Sequence, residues 1–516
     1  MAEVVVYRKR TVVSALMMLF ALALGSAGYL MVSMNQHDGA LPEGWPAALG
    51  AWFGLGAIAW GVVRWRLPYA DPLLLPVVFL LNGLGLSMIY RLDQADGLAS
   101  ARLQLTWLAV AVAVFSVTVF LLRDHRVLQR YTYLWFVAGF LLLLSPLVPG
   151  LGKENHGARI WIEFGPFSFQ PAEIAKIVLS IAFASYLVEK RDVLATAGRR
   201  FLGIDFPRPR DLAPIGVAWV FSLIILVFEK DLGTTLLFFG LFVAMLYVAT
   251  ERPSWAILGV LMVAVLGVVG YSMFDHVQTR FSSWLNPFSD YDKNLQVISA
   301  QFGFAWGGLF GTGWGLGRPY LTPLAKNDFI GAAIGEELGL YGLCALVVLF
   351  GVIVARVLRA ALGSSEPFGK LLATGLAFAF ALQVFIILGG ITRLLPLTGL
   401  TTPFVSQGGS SLISNYLLLA LMLTITHQVR RPQAEAPTGE FASLSAEATQ
   451  AIPVQRAPQP DPHAEPPRPD PAAFGADEPL GMDEPLGMDE PTVAQRAVPA
   501  PGSPPEAPRD PEEGTP

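Results

Sequence analysis

The chain is dominated by apolar runs of about 20 residues, the length that an α-helix needs to cross the hydrocarbon core of a bilayer. Hydrophobic residues make up 53% of the 516 positions and charged residues only 15%, a balance that excludes a soluble globular protein. Alternating ten-residue strand patterns, which would indicate an outer-membrane barrel, are absent from the sequence. The sequence therefore predicts an all-α, polytopic helical membrane protein with twelve spans, at 11–34, 45–63, 72–90, 105–122, 131–149, 173–188, 212–228, 232–249, 254–274, 329–355, 370–392 and 410–427.

The distribution of basic residues predicts the orientation of these spans. The first span follows Arg8-Lys9-Arg10, and its apolar stretch is too long for a signal peptide, so we expect an uncleaved anchor. With the N-terminus inside, every loop that holds a dense basic cluster becomes cytoplasmic, namely 64–66, 123–130, 190–210, 356–370 and 430–431. Both termini are then cytoplasmic, and the outward segments are 150–171, 229–231, 274–328 and 394–409.

The charge of the chain is divided between two parts. The formal net charge is −5, yet the segment after Arg431 alone carries 16 acidic residues and four arginines, which leaves a mildly basic membrane body. This tail, 432–516, is rich in proline and repeats Asp-Glu-Pro-Leu-Gly-Met at 477–482 and 483–488. Such a composition cannot bury enough apolar surface to fold alone. We predict a disordered cytoplasmic extension.

Cysteine and histidine usage argues against a metal centre. Cys344 is the only cysteine and lies within an apolar run, which excludes a disulfide within the chain and a thiolate metal site. The six histidines are scattered singly, without the spacing of metal ligands. The glycine run 307–317 superficially resembles a phosphate-cradling loop, but it follows no predicted strand and faces outward, so a nucleotide site is not expected. Its glycines indicate backbone flexibility or close approach to a bulky ligand.

Asp328 is the most unusual outward residue, because it stands where a long polar loop enters an apolar helix. An ionisable group at such a boundary is costly and is a functional candidate. Two structural alternatives are open, a helix N-cap and an ion pair with Lys326 or another outward base. Glu336 and Glu337 follow about two helical turns deeper, where they either pair with a buried Lys or Arg or line a polar cavity.

Three other outward segments hold candidate binding residues. Arg159 suits bidentate contact with phosphate oxygens, whereas Glu173 and Lys176, three residues apart at a helix start, either bind substrate or pair with each other. Asp231 lies between two spans and is also suited to cap the second one. The proline- and glycine-rich segment 395–411 cannot form a regular helix, which favours the wall of a pocket over a plain turn.

Seven short motifs together resemble the SEDS family (shape, elongation, division and sporulation), whose members include RodA, FtsW and SpoVE. They occur in the family's order across about 70–430 of the sequence, which makes the combination specific although each motif alone is weak. The motifs are Gly157–Trp161, Phe169–Lys176, Asp231–Thr234, the glycine run from Gly307, Asn327–Ile330, Gly335–Gly339 and Pro396–Ser411.

The resemblance implies the fold and the reaction. The family core has ten membrane helices, which corresponds to 69–431, so 1–68 would be an N-terminal addition of two helices and 432–516 a second addition. These additions favour the RodA branch. The family implies a peptidoglycan glycosyltransferase that polymerises lipid II at the outer face of the bacterial cytoplasmic membrane. It also implies a class B penicillin-binding protein as partner, the growing glycan strand as product and no nucleic acid.

The resemblance also implies site residues. Asp328 matches the family's essential aspartate and is expected to act as general base on the 4-hydroxyl of the acceptor sugar. Cations should hold the departing pyrophosphate; our candidates are Lys153, Arg159, Arg318 and Lys326, and further substrate-binding candidates are Glu173, Lys176, Asp231, Ser406 and Gln407. No cofactor is firmly predicted, and a divalent cation (Mg²⁺ or Mn²⁺) at the pyrophosphate is left open.

The sequence departs from the family pattern at several positions, which bear on the identity of the pyrophosphate ligands and leave the expected fold and reaction unchanged. His156, Ile160 and Lys230 stand where the family has other residues, so the identity of the pyrophosphate ligands is open. Two rival functions remain at this stage. A flippase for the lipid-linked precursor would also need a polar cavity among helices, but it requires access from both faces. A non-catalytic scaffold for a penicillin-binding protein would not depend on Asp328.

Overall fold

The computed structural model describes residues 9–432 except 43, 156–157, 165–166, 196–198, 202–203, 207–219, 221–223 and 225–228. Most of the predicted seventh span (212–228) and the tail after 432 lie outside the described residues, as does His156. The described part contains thirteen α-helices, which we number in chain order. They are α1 Thr11–Gln36, α2 Trp45–Arg66, α3 Leu74–Asp96, α4 Ser100–Leu121, α5 Thr132–Leu144, α6 Pro171–Ala195, α7 Leu232–Thr250, α8 Pro253–Met273, α9 Asp275–Leu285, α10 Leu295–Gly307, α11 Ile330–Leu362, α12 Pro367–Ile391 and α13 Gly409–Arg430.

Eleven helical segments of the described part are long and apolar enough to cross a membrane. They are α1–α8 and α11–α13, with α5 extended by flanking 3-10 turns to His125–Leu147. They confirm eleven of the twelve predicted spans, and the protein is a multi-pass helical membrane protein. The two remaining helices, α9 and α10, lie in the long loop that precedes α11.

The interior of the bundle is organised around Tyr416 of α13, which is fully buried. The rings of Phe79, Phe115 and Phe404 pack edge-on or tilted against it at centroid distances of 5.7–6.4 Å. The Tyr416 hydroxyl accepts a hydrogen bond of 3.1 Å from Nδ2 of Asn82. Because Phe404 belongs to the irregular segment between α12 and α13, this cluster anchors that segment to the helices.

Ion pairs close one end of the bundle. Asp71, fully buried just before α3, pairs with Arg356 at 2.7 Å and with Arg430. His125 and Glu366 pair nearby at 3.1 Å. Each of these residues stands next to a loop predicted to be cytoplasmic, so the structure gathers those loops at a single end.

The opposite end carries a small antiparallel sheet that the sequence did not predict. Strands β1 (Gly152–Asn155), β2 (Ala158–Phe164) and β3 (Phe167–Phe169) form it in chain order, with Gly152 opposite Ile162 and Ile162 opposite Phe169. A separate hairpin, within the loop 190–210 that was predicted to be cytoplasmic, pairs β4 (Arg199–Phe201) with β5 (Ile204–Phe206). Strands this short have too few alternating residues to be distinguished from an interfacial loop.

Helix α11 is interrupted at Gly339, and the glycine run forms hydrogen bonds with the backbone groups on both sides of the interruption. Gly339 has φ +67° and ψ −167°, outside helical space. The amides of Thr312 and Gly313 donate to the carbonyls of Glu336 and Glu337, at 3.0 and 3.1 Å. After the break, the amide of Leu340 donates to the Gly308 carbonyl at 2.9 Å. The run therefore satisfies backbone groups that would otherwise be unpaired inside the membrane body.

Gly311→Ala should destabilise the protein by at least about 2 kcal/mol, because left-handed backbone costs a side-chain-bearing residue energy. Gly311 has φ +84°, and a Cβ there would lie 2.1 Å from the carbonyl oxygen of Glu337. Thermal unfolding in detergent measures the effect. Gly351→Ala in α11 is the matched control, since a Cβ there meets no atom within 4 Å. Equal stability of the two variants would contradict this account.

Candidate active site

A cavity of about 940 Å³ lies at the end of the bundle that carries the sheet. Its walls come from α4, β2, α9, the start of α10, the turn before α11 and the segment between α12 and α13. The charged and aromatic residues that line it are Trp107, Trp161, Glu163, Lys230, Asp231, Arg280, Trp284, Lys293, Asp328 and Arg393.

Asp328 lines this cavity, and it neither caps α11 nor pairs with Lys326. The N-cap of α11 is Phe329, which has no side-chain capping hydrogen bond. Lys326 pairs instead with Asp93 and Asp96, at 2.6 Å each. The N-cap and the ion pair with Lys326 are therefore excluded, and the half-buried carboxylate faces the cavity. The alternative of another outward base remains, since the charge of Arg280 acts on Asp328.

The backbone that carries Asp328 is fixed from three sides. Ser406 Oγ donates to the carbonyl of Asn327 at 2.6 Å, and the amide of Gln407 donates to the carbonyl of Lys326 at 2.8 Å. On the other side Phe329 is fully buried in a small apolar cluster with residues of α10, α11 and α12. A catalytic side chain on a rigid turn loses little entropy when it acts, and this arrangement suits that role.

Arg280 of α9 and Asp231 are the charged neighbours that influence Asp328. Arg280 Nη1 donates to the carbonyl of Leu397 at 2.6 Å. A Cβ at Gly399 would lie 3.8 Å from Oδ2 of Asp328 and 4.0 Å from Nη2 of Arg280, so both groups approach the same glycine. Asp231 lines the cavity and also caps α7, because its carboxylate accepts hydrogen bonds from the amide and hydroxyl of Thr234, at 3.0 and 2.6 Å.

Burial determines the protonation behaviour of this group of residues. It raises the pKa of Asp328 to about 6; Arg280 opposes the shift and Asp231 adds to it. Burial likewise raises the pKa of Asp231 and lowers that of Arg280. A carboxyl with a pKa near the working pH is both available as a carboxylate and basic enough to take a proton.

The four predicted pyrophosphate ligands lie outside the cavity lining. Lys153 pairs across the β1–β2 hairpin with Glu163 at 2.9 Å, and Arg159 is an exposed residue of β2. The Arg318 amide donates to Glu336 at 2.5 Å, on the glycine run. Lys326, as described, is engaged by α3. The cations that do line the cavity are Lys230, Arg280, Lys293 and Arg393.

Glu173 and Lys176 form a buried ion pair, which was one of the two roles expected for them; the other was substrate binding. Their side chains are 2.5 Å apart, and Lys176 also donates to Oε1 of Gln383 at 2.8 Å. Nε2 of Gln383 donates to the carbonyl of Thr401 at 3.0 Å. The pair lies outside the cavity lining and supports the segment that forms its wall, so we assign it a structural role.

The pocket-wall prediction for 395–411 is confirmed, because Leu395, Leu397, Thr398, Gly399, Thr401, Gln407, Gly408 and Gly409 all line the cavity. Gln407, a predicted substrate-binding residue, is therefore part of the cavity wall. Ser406 does not line the cavity; its hydroxyl accepts from the Thr402 amide at 2.9 Å and donates to Asn327.

Sequence reasoning missed Arg280 and Arg393. Arg393 is fixed by a reciprocal contact, in which its Nη2 donates to the carbonyl of Trp284 at 2.8 Å and Trp284 Nε1 donates to the carbonyl of Arg393 at 2.9 Å. Arg280 precedes Phe281 in an outward segment, and Arg393 stands one residue before the segment 394–409. Neither belongs to one of the seven motifs, and only the fold brings both into the cavity that Asp328 lines.

Glu336 and Glu337 are held behind the cavity by buried polar partners. Glu337 pairs with Arg91 of α3 at 3.1 Å and accepts a hydrogen bond from the Gly315 amide at 2.8 Å. This confirms the predicted pairing with a buried base. The glycine run packs closely against the protein's own backbone, since a Cβ at Gly307 would lie 2.3 Å from the carbonyl oxygen of Gly335; the approach of a bulky ligand to the run stays a prediction.

Comparisons with known proteins agree with these observations. Residues 72–431 match the FtsW, RodA and SpoVE family, described as cell cycle proteins. The peptidoglycan glycosyltransferase RodA of Mycobacterium tuberculosis is 46% identical over 445 residues, which cover 85% of this chain and 94% of that protein. Stage V sporulation protein E of Bacillus subtilis is 32% identical over 377 residues, covering 70% of this chain and 98% of that one.

A solved structure resembles the chain as well. It comes from work on the structural coordination of polymerization and crosslinking by a peptidoglycan synthase complex. Its chain superposes with a TM-score of 0.56 at 26% sequence identity and covers 70% of this chain and 99% of its own length. With the family match and the 46% identical relatives, this shows that the chain belongs to the cell cycle protein family of FtsW, RodA and SpoVE.

Proposed function

We propose that the protein polymerises lipid II into glycan strands and that Asp328 is its general base. The chain is a peptidoglycan glycosyltransferase, like the RodA relatives that are 46% identical to it over most of its length. The observation that carries the assignment of the base is the position of Asp328, half-buried in the wall of a large cavity between Arg280 and Asp231. Such a perturbed carboxyl in a cleft is typical of a catalytic group.

The reaction requires one proton transfer and one displacement. Asp328 takes the proton from the 4-hydroxyl of the acceptor's N-acetylglucosamine as that oxygen attacks the anomeric carbon of the donor glycan. The bond from that carbon to the pyrophosphate breaks, and polyprenyl pyrophosphate leaves with the electron pair. The proton is later released from Asp328 to solvent through the open cavity.

Cations at the cavity wall stabilise the leaving group in this proposal. Lys230, Arg280, Lys293 and Arg393 line the cavity with Asp328, so we assign the pyrophosphate to them in place of the cations chosen from the sequence. Fixed positive groups are most effective where charge develops in the transition state. The rings of Trp107, Trp161 and Trp284 line the same cavity and are suited to pack against sugar faces.

The described part of the cavity offers few protein ligands for a divalent cation. Among the described residues, no three His, Cys, Asp or Glu side chains come together as metal ligands. Mg²⁺ usually keeps several waters and uses one or two carboxylates together with substrate phosphates, and Asp231 is already engaged by Thr234. We therefore derive no step through a metal.

The proposal places the cavity at the outer face of the cytoplasmic membrane, with both termini in the cytoplasm. The positive-inside rule supports this, because the basic loops meet at the end opposite the cavity. We further propose a class B penicillin-binding protein as partner. Support comes from the structural relative, whose complex couples polymerization with crosslinking.

The flippase alternative is less well supported. A flippase needs a route from both faces, whereas the end near Asp71 is closed by the ion pairs to Arg356 and Arg430. Glycan synthesis by purified protein in liposomes distinguishes the two functions. We expect a ladder of glycan products from lipid II, with a higher yield when the penicillin-binding protein is present. Transfer of lipid II between leaflets without any glycan product would support the flippase.

A further inference from the structure

Helix α1 lies outside the residues that match the family, 72–431, yet it is hydrogen-bonded to the glycine run. Nδ2 of Asn35 donates to the carbonyl of Trp314 at 2.7 Å, and Nε2 of Gln36 donates to the carbonyl of Gly315 at 2.6 Å. In the other direction, Trp314 Nε1 donates to the carbonyl of Gly28 at 2.9 Å. Three hydrogen bonds thus connect the last turns of the added helix to one short piece of the core.

The contact is also closely packed. A Cβ at Gly315 would lie 3.1 Å from Cα of Val32, and one at Gly83 would lie 2.8 Å from Cα of Gly25. Ser87 Oγ donates to the carbonyl of Gly25 at 3.3 Å. Helix α1 is therefore seated against α3 and against the glycine run with little room to move.

The same piece of the glycine run holds the two glutamates of α11. The amide of Gly315 donates to Glu337, and the carbonyl of Gly317 accepts from Nη2 of Arg91 at 2.7 Å. Arg91 also pairs with Glu337, and the amide of Arg318 donates to Glu336. A displacement of the run would therefore alter the contacts of both glutamates.

The part of α11 that carries these glutamates begins at Ile330, two residues after Asp328. It ends at the break at Gly339, so it is a short helix whose far end is fixed by the glycine run and whose near end carries the catalytic turn. Helices move as rigid elements. Looser contacts at Glu336 and Glu337 should consequently shift Asp328.

We propose that α1 is a positioning element for Asp328, acting through Trp314, the glycine run and the first part of α11. The inference rests on the proposed polymerase function. Under this proposal, the N-terminal addition contributes to catalysis through the geometry of the base, beyond its role as a membrane anchor. Asn35 and Gln36 lie outside the cavity lining and are positioning residues.

The test is the double variant Asn35→Leu/Gln36→Met, which keeps the side-chain volumes and removes both donors. We expect kcat for glycan polymerisation to fall on the order of tenfold or more, since small misplacements of catalytic groups are costly. KM should change less than about twofold, because the cavity lining is untouched. Hydrogen–deuterium exchange should become faster at residues 311–317, and Trp314→Phe should show the same changes.

His37→Leu is the matched control, since His37 is exposed on the same helix end and its hydrogen bonds within the described residues are made by its backbone; it should behave as wild type. Unchanged kcat and exchange in the double variant would overturn the proposal. So would a loss of activity that only follows a loss of folded protein, judged by Tm. If the wild-type protein made no glycan, the proposed function would fail, whereas the exchange measurement would still report on the contact.

Discussion

Replacing Asp328 by asparagine is expected to lower the rate of glycan polymerisation by about 10²- to 10⁴-fold, the usual contribution of a general base. Asparagine has nearly the same shape but cannot accept the proton of the attacking hydroxyl. The fold should persist, because Asn327 and Phe329 hold the turn through Ser406 and the apolar cluster. Initial rates with fluorescent lipid II in liposomes measure the effect.

Binding of lipid II separates a chemical defect from a folding defect. The Asp328→Asn protein should retain lipid II affinity within a few-fold and its Tm within a few degrees, because the cations of the cavity remain. Ser406→Ala is a useful comparison, since it removes the hydrogen bond to Asn327 without changing the carboxylate, and it should retain much more activity. Wild-type rates in Asp328→Asn would remove the residue from the mechanism and favour a scaffold.

Arg280→Gln is expected to reduce the rate by about 10²-fold, the size of effect seen when a fixed charge at a transition state is removed. A second, diagnostic effect concerns pH. Arg280 lowers the pKa of Asp328, so its loss should raise that pKa further. Activity requires the deprotonated base and is lost as pH falls through the pKa, so the acid limb should move to higher pH.

Rates measured over a pH series for wild type, Arg280→Gln and Lys293→Met test the predicted shift of the acid limb, with the Lys293 variant as control. Lys293 also lines the cavity, but it is largely exposed and pairs with Asp290 at 2.9 Å. We expect the Lys293 variant to keep the wild-type acid limb and to lose less activity, since solvent screens exposed charges. An acid limb that moves to lower pH in Arg280→Gln would contradict the assigned electrostatics.

The membrane architecture could be predicted from sequence because each span is a local signal. Runs of apolar residues identified eleven of the spans, and Asp328 could be selected because a carboxylate at a span boundary is costly. The basic clusters in the sequence also predicted which loops meet at one end of the bundle. The ion pairs of Asp71 with Arg356 and Arg430 at that end join residues far apart in sequence, so the individual pairs could not be predicted.

The composition of the site could not be predicted in the same way. Arg280 and Arg393 reach the cavity only because α9 and the segment after α12 fold back over it. Lys326 is two residues from Asp328 in sequence, yet its side chain forms an ion pair with Asp93 of α3. Sequence proximity alone therefore does not show which cations line the cavity, because ion pairs in a folded bundle depend on tertiary contacts.

The pH dependence of kcat/KM tests the central claim most directly, because it reports the titration of the essential base in the free enzyme. Burial raises the pKa of Asp328 to about 6, so the account predicts that wild-type polymerisation falls as pH drops through that value. The residual activity of Asp328→Asn should lack this limb. A limb near the same pH in the asparagine variant would contradict the claim that Asp328 is the base.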